Sequence, residues 1–214
     1  MSLKSIFLIR HAESPEDIDP TLHNINNDRG IPLTETGILQ ADNLGQQLSV
    51  RFFPENTIAV YLSPLRRVGE TWNILAPYFP APMIKEVDER LRNLDWGNVN
   101  LETRDQIEAE RYKAGVLNYQ FPGGDDTPKY VRSINDFTDK ATTNRQNKDS
   151  PDYIIIVTHG FALRIIIRAL LQTSDTVFKW LRHPPNGYCL ELTYNTETST
   201  FTPTTPLLRR KPIE

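Results

Sequence analysis

The chain has 214 residues, of which 38% are apolar and 24% charged, and its net charge is −3. This composition excludes a disordered chain and a protein that binds nucleic acid through a global basic field. The length fits one domain with a core large enough to need no disulfide or metal. No apolar stretch is long enough to span a membrane, and the early apolar run is too short for a signal peptide. Since the single cysteine, Cys189, cannot form an internal disulfide, we expect a cytoplasmic protein.

The N-terminal segment begins with a short apolar run. Residues 3–9 predict a buried strand that ends at Arg10-His11. Residues 12–32 are polar and contain three prolines and a glycine, which predicts a long loop. The apolar spacing that follows predicts an amphipathic helix over 34–51.

A second apolar run, 58–62, predicts another strand and ends at Ser63-Pro64. Serine followed by proline is typical of a helix start, so we expect Ser63 to be the N-cap of a helix that ends near residue 75. A further strand is predicted over 83–87.

The second half of the chain continues this alternation. Its predicted helices cover 102–119, 127–144 and 161–172, and its predicted strands cover 153–157 and 188–194, the last of these at an edge of the sheet. Three apolar runs that end in loops and feed helices indicate an α/β fold. We therefore expect a three-layer α/β/α domain with a mostly parallel sheet covered by helices on both faces.

Polar residues with chemical potential follow three of the predicted strands. They are Arg10 and His11 after the first, Ser63 and Arg66 after the second, and Thr158-His159-Gly160 after the strand over 153–157. Each group alone is compatible with a purely structural role. Together they bring two arginine-containing turns and two histidines to one sheet edge, where ligands of open α/β sheets bind. The ligand that such charge favours is a dianion, which means phosphate.

These segments resemble the histidine phosphatase superfamily, whose fold is that of phosphoglycerate mutase, and in particular its bacterial phosphatase branch. The matching segments occur in the order of the family: LIRHAES (8–14), LTETGILQA (33–41), LSPLRRVGET (62–71), ERLRNLDWG (89–97), FPGGDD (121–126) and VTHG (157–160). They cover most of the chain, and the combination of RHAES, SPLRR and VTHG is far more specific than any one of them.

The resemblance implies phosphoryl transfer through a phosphohistidine. His11 would attack phosphorus, Arg10 and Arg66 would hold the non-bridging oxygens, and His159 would donate to the same oxygens. The resemblance also implies that no metal or other cofactor is needed, because the arginines supply the positive charge. It places a further set of residues around the substrate: Asp17, Ser63, Asn93, Thr158 and Gly160.

Two positions depart from the family pattern. Asp17 stands where the family usually has asparagine, and its charge would repel a dianion unless it points away. Asn93 stands where many members have the carboxylate general acid, whose contribution is roughly 10²–10⁴-fold in rate. Asp125 could replace it, as could Glu89 or Asp95. Alternatively, the protein could act on substrates with good leaving groups.

Three functions are compatible with this pattern. The first is a metal-independent phosphomonoesterase, the second a phosphoglycerate or phosphosugar mutase, and the third a weakened pseudo-phosphatase that binds phosphorylated ligands. We favour hydrolysis of a small phosphorylated metabolite, without nucleic acid or membrane partners, by a monomer or homodimer. One domain over 1–214 is expected, with segments near 12–32 and 98–120 forming a rim or cap that sets specificity.

Overall fold

The structure is a computed structural model that describes residues 3–19, 22, 28–97, 99, 101–143, 146 and 149–209. Its strands form one six-stranded sheet. They are β1 (Ser5–Arg10), β2 (Ile58–Leu62), β3 (Ile84–Val87), β4 (Tyr153–Thr158), β5 (Cys189–Asn195) and β6 (Thr200–Pro203). The order across the sheet is β3-β2-β4-β1-β5-β6. Strands β1 to β4 run parallel, whereas β5 pairs antiparallel with β1 and β6 pairs antiparallel with β5.

The described residues also form seven α-helices. They are α1 (Pro15–Ile18), α2 (Glu35–Ser49), α3 (Arg66–Leu75), α4 (Leu101–Ala114), α5 (Thr127–Thr142), α6 (Gly160–Leu170) and α7 (Asp175–Trp180). Short 3-10 turns cover Asp28–Gly30, Ala76–Tyr78 and Glu89–Leu91. Within the described part of the chain, no helix combines the length and the apolar composition that crossing a bilayer requires.

Helices cover both faces of the sheet because successive side chains of a strand point to opposite faces. Phe7 and Ile9 of β1 pack in one apolar cluster with Leu44 of α2 and Trp72 of α3. Ile6 and Leu8 belong to the opposite cluster, which contains residues of α5 and α6. Central strands buried on both sides read as continuous apolar runs, and this is the pattern that predicted them. The expected three-layer α/β/α architecture is therefore confirmed.

Several predicted elements differ in detail from the structure. The strand over 188–194 is not at an edge, because β6 pairs with it and becomes the edge strand. The predicted loop over 12–32 contains α1, and a helix over 175–180 was not predicted. The helix predicted over 102–119 ends earlier, at Ala114, where Gly115 adopts a positive φ of 91°.

The expected rim or cap over 12–32 and 98–120 lies only partly in the described structure. Positions 20, 21, 23–27, 98 and 100 are outside the described residues. The role of these segments in specificity therefore stays a prediction, as does the assignment of 1–214 to one domain.

Candidate active site

The parallel strands β1, β2 and β4 bring three polar turns to one edge of the sheet. Arg10 pairs in register with Thr158, and the backbone N–H of His11 donates to the Thr158 carbonyl at 3.0 Å. From the other side of β4, the Ser63 N–H donates to the Val157 carbonyl at 3.1 Å. These backbone bonds hold the predicted turns beside one another.

Two buried histidines lie at the centre of this edge. The ring centroids of His11 and His159 are 5.0 Å apart. His11 Nδ1 lies 2.9 Å from the Ala12 carbonyl oxygen. Because a carbonyl only accepts, this contact places the ring proton on Nδ1 and the lone pair on Nε2. His159 Nε2 lies 2.8 Å from Ser63 Oγ, so Ser63 orients the second ring.

The ring of His11 is held in its neutral form. Burial is the main reason that its pKa falls from 6.5 to about 3, and the positive charge of Arg67 acts in the same direction. A neutral imidazole with a free Nε2 lone pair is a competent nucleophile at any ordinary working pH.

The guanidinium of Arg10 is fixed by two partners. It donates to the Pro184 carbonyl at 2.8 Å and forms an ion pair with Asp17. The other carboxylate oxygen of Asp17 accepts from Ser14 Oγ at 2.8 Å and from Asn186 Nδ2 at 2.8 Å. The carboxylate expected to repel a dianion is thus paired with Arg10. Burial alone would raise the pKa of Asp17, but the positive charge of Arg10 and the hydrogen bonds from Ser14 outweigh it and lower that pKa.

The structure does not bring Arg66 into this cluster. Its side chain is 56% exposed, and its Nε donates to Glu70 along the outer face of α3 at 2.7 Å. Arg67 is fully buried instead, with its Nε 2.6 Å from Glu16 and its Nη1 2.8 Å from Asp28. The expectation that Arg66 holds the ligand therefore lacks geometric support, and Arg67 has the position that was predicted for it.

Ser63 and Thr158 lie at the site in orienting positions. The prediction that Ser63 caps α3 is wrong, because the helix begins at Arg66 with Leu65 as N-cap, and Ser63 bonds His159 instead. Thr158 Oγ1 donates to the Leu91 carbonyl at 2.6 Å, which ties the 3-10 turn before Asn93 to β4.

Gly160 opens α6 directly after His159. A Cβ at this position would lie 2.9 Å from His183 Nδ1, so the close packing of this turn requires glycine. Gly160 thus contributes space rather than a polar contact.

The candidate acids near Asn93 are engaged in other contacts. Asp125 accepts two bonds of 2.6 Å from Arg92 and one of 2.7 Å from the Asp95 N–H. The carbonyl of Asn93 accepts from the same arginine at 2.8 Å. Asp95 is exposed and accepts from a backbone N–H two residues on. Glu89 is exposed and pairs with an arginine at the surface.

Sequence reasoning missed Glu16, Arg67 and Asn186. The buried positions of α3 include Arg67, Thr71 and Leu75, which recur at intervals of four, so helical periodicity could have identified Arg67. The burial of Glu16 and the contacts of Asn186 depend on distant segments, and no local signal marks them.

One group of described residues has the composition of a metal site. Ligand atoms of His11, Glu16 and Asp17 lie within 4.8 Å of one another. Both carboxylates already pair with arginines, however, and the two guanidinium groups make this pocket favourable for an anion rather than a cation. We therefore assign no metal to this group.

A sheet of this order brings two buried histidines, the buried Arg67 and the partly buried Arg10 to one carboxyl edge, and this arrangement favours an anionic ligand. The chain belongs to the histidine phosphatase superfamily, branch 1, whose family model matches residues 6–203.

Individual relatives agree with this assignment. The chain is 27% identical over 198 residues to the phosphoglycerate mutase-like protein AT74 of Arabidopsis thaliana, a match that covers 86% of this chain and 63% of that protein. The chain thus spans less than two thirds of this curated relative. A putative alpha-ribazole-5'-P phosphatase from Escherichia coli has the same fold, with a TM-score of 0.72 at 21% identity over 97% of both chains. A mycobacterial glucosyl-3-phosphoglycerate phosphatase gives 0.71 at 18% identity, covering 94% of this chain and 96% of that one.

Proposed function

We propose that this protein hydrolyses phosphate monoesters through a phosphohistidine formed on His11. The observation that carries the proposal is the pair of guanidinium groups beside the two histidines, that of Arg67 buried and that of Arg10 partly buried. Arg10 Nε and Arg67 Nη2 are buried and donate to no acceptor among the described residues. Buried donors without acceptors are rare because they cost free energy. A phosphoryl group beside His11 would supply oxygens to both.

The reaction follows from these positions. His11 Nε2 attacks phosphorus and forms an N–P bond, while the bond between phosphorus and the ester oxygen breaks and the leaving oxygen takes a proton. Water then attacks phosphorus, the N–P bond breaks, and inorganic phosphate leaves. Arg10, Arg67 and His159 stabilise the charge on the non-bridging oxygens throughout. This scheme assigns the charge stabilisation to side chains and invokes no metal ion.

The assignment of Arg67 in place of Arg66 is part of this proposal. A guanidinium that is fully buried and lowers the pKa of His11 acts directly on the reacting group. An exposed arginine paired with a surface glutamate contributes little, because solvent screens its charge.

The substrate class is a small phosphorylated metabolite, and we keep the expectation of a cytoplasmic location. Two solved neighbours of this fold are described as a putative alpha-ribazole-5'-P phosphatase and a glucosyl-3-phosphoglycerate phosphatase. Curated relatives are described as phosphoglycerate mutase-like, so a mutase is the second candidate. The two functions differ in whether the phosphoryl group ends on water or on a second sugar acid.

The test is hydrolysis of p-nitrophenyl phosphate from acid to neutral pH in the presence of EDTA. We expect turnover by the natural protein, none by His11→Ala, and an acid-labile phosphoryl group on His11. Undiminished turnover by His11→Ala would contradict the mechanism. Phosphate binding without turnover of any ester would indicate a pseudo-phosphatase, and transfer to a second sugar acid would indicate a mutase.

Neighbouring arginines provide a matched pair of variants. We expect Arg67→Gln to lower kcat/KM by roughly 10³-fold, as for other arginines that stabilise a transferring phosphoryl group. Arg66→Gln should change it less than about twofold. Since Arg67→Gln leaves Glu16 buried without its cation, the Tm of this variant is measured beside its kinetics, which separates lost stability from lost charge stabilisation. Equal losses in the two single variants would refute the assignment.

A further inference from the structure

We propose that Glu16 is the general acid of this enzyme, donating the proton that the leaving oxygen takes when its bond to phosphorus breaks. This inference rests on the proposed function. It gives a role to a buried carboxylate that the phosphate-binding scheme does not use.

The residue at the family's usual acid position cannot donate a proton in this chain. Asn93 has an amide, which carries no ionisable proton to donate. Asp125 accepts from both terminal nitrogens of Arg92 and from a backbone N–H, so its oxygens are already occupied. Glu89 and Asp95 are exposed and engaged at the surface. Hydrolysis of an ester with a poor leaving group therefore needs another proton donor near His11.

Glu16 has the position that this donor needs. Its side chain is 1% exposed, and a carboxylate oxygen lies within 4.8 Å of a His11 ring nitrogen and of an Asp17 oxygen. In a reactive complex, phosphorus lies about 3–3.5 Å from the attacking nitrogen, and the leaving oxygen lies one bond further on. One oxygen of Glu16, Oε1, lies 2.6 Å from Arg67 Nε, whereas Oε2 has no side-chain partner among the described residues and is available to bond that oxygen.

The charges around Glu16 favour a proton on it once substrate is bound. Its charged neighbours are Arg67 on α3, Asp28 on the 3-10 turn over Asp28–Gly30 and Asp17 on its own helix. His11 and Arg10 face it from the end of β1. Burial raises the pKa of Glu16, and Arg67 opposes this shift only in part. A phosphate dianion at Arg67 adds a like charge beside the carboxylate, and two anions cannot share one guanidinium without cost. Substrate binding would therefore favour the protonated form of Glu16.

The proton balance closes over the two steps. Glu16 gives its proton to the ester oxygen as the bond to phosphorus breaks, and it becomes a carboxylate. In the second step, this carboxylate takes a proton from the attacking water as the N–P bond breaks. The net reaction is hydrolysis, and Glu16 ends as it began.

The decisive experiment compares leaving groups. p-Nitrophenolate is a good leaving group that needs little help from an acid, whereas the alkoxide of glycerol 2-phosphate is a poor one. We expect Glu16→Gln to lower kcat/KM for glycerol 2-phosphate by roughly 10²–10⁴-fold while changing p-nitrophenyl phosphate hydrolysis less than about tenfold. Equal losses on both esters would overturn the proposal and show that Glu16 only positions Arg67.

Asp28→Asn is the matched control, because it removes the other carboxylate that contacts Arg67. It should affect both esters equally. In the Glu16→Gln background, Asn93→Glu restores the usual acid and should recover hydrolysis of glycerol 2-phosphate. If the natural protein shows no turnover of p-nitrophenyl phosphate that depends on His11, the proposed function itself is refuted.

A second readout is made on the natural protein itself. Sulfate mimics the phosphate dianion and does not titrate near neutral pH. Calorimetry of sulfate binding in buffers of different ionisation enthalpy measures the protons taken up. We expect uptake of up to one proton by the natural protein and none by Glu16→Gln. Sulfate binding by the natural protein without proton uptake would contradict the protonation of Glu16 on anion binding.

Discussion

The neutral state of His11 makes the stability of this protein depend on pH in a calculable way. Its pKa is about 3 in the folded chain and about 6.5 in the unfolded one. Between pH 3 and pH 6.5, the His11 ring is therefore mostly protonated in the unfolded chain and mostly neutral in the folded chain. The contribution to stability is complete above pH 6.5 and is lost progressively as pH falls towards 3. The difference of about 3.5 pH units, at about 1.4 kcal/mol each, corresponds to about 5 kcal/mol.

The assay is urea unfolding at pH 7, 6, 5 and 4 in phosphate-free buffers, because bound phosphate would itself stabilise the folded state. Between pH 6 and pH 4, the free energy of unfolding of the natural protein should fall by about 2–3 kcal/mol more than that of His11→Asn. Other titrating groups are common to both proteins and largely cancel in the difference. Parallel curves would mean that the folded ring has its ordinary pKa, which would refute the conclusion that burial keeps His11 neutral below pH 6.5.

Three further predictions concern residues around the site. Asp17→Asn removes the negative charge beside Arg10 and should tighten inhibition by vanadate about tenfold, measured as Ki; unchanged Ki would show that this charge is already fully compensated. Gly37→Ala would place a Cβ 2.1 Å from the Glu13 carbonyl, so we expect a Tm several degrees lower and weaker activity; an unchanged Tm would contradict that packing. Asp125→Asn breaks a bidentate ion pair and should lower the Tm while leaving the ratio of rates on good and poor leaving groups unchanged.

The fold was largely predictable because its signals are local. The central strands are buried on both faces, so runs such as 58–62 and 153–157 are apolar throughout. Strand β6 was missed because it is short and half-exposed, and its place in the sheet depends on pairing with β5. The same pairing removes the predicted strand over 188–194 from the edge.

The site was predictable to the extent that it lies at the ends of those strands. His11 and His159 follow directly from the strand pattern, and they are brought together as expected. The choice between Arg66 and Arg67 depends on which face of α3 is buried, and a motif alone does not decide it. Glu16 lies on a helix of four residues, too short for any periodicity, and its burial depends on Arg67 more than fifty residues away.

Strand β1, which ends directly before His11, pairs with strands from the other end of the chain. Strand β1 lies between β4 and β5, whose residues come at 153–158 and 189–195. The loop that leads into β5 also binds the turn after β1, through the Gly187 N–H on the His11 carbonyl at 3.1 Å and the Pro184 carbonyl on Arg10. Pairings between such distant segments form slowly during folding, because a long loop must close before they are stabilised. The earliest strand to be synthesised is thus among the last to be completed, and recovery of the proposed activity during refolding would report the closure of the whole sheet.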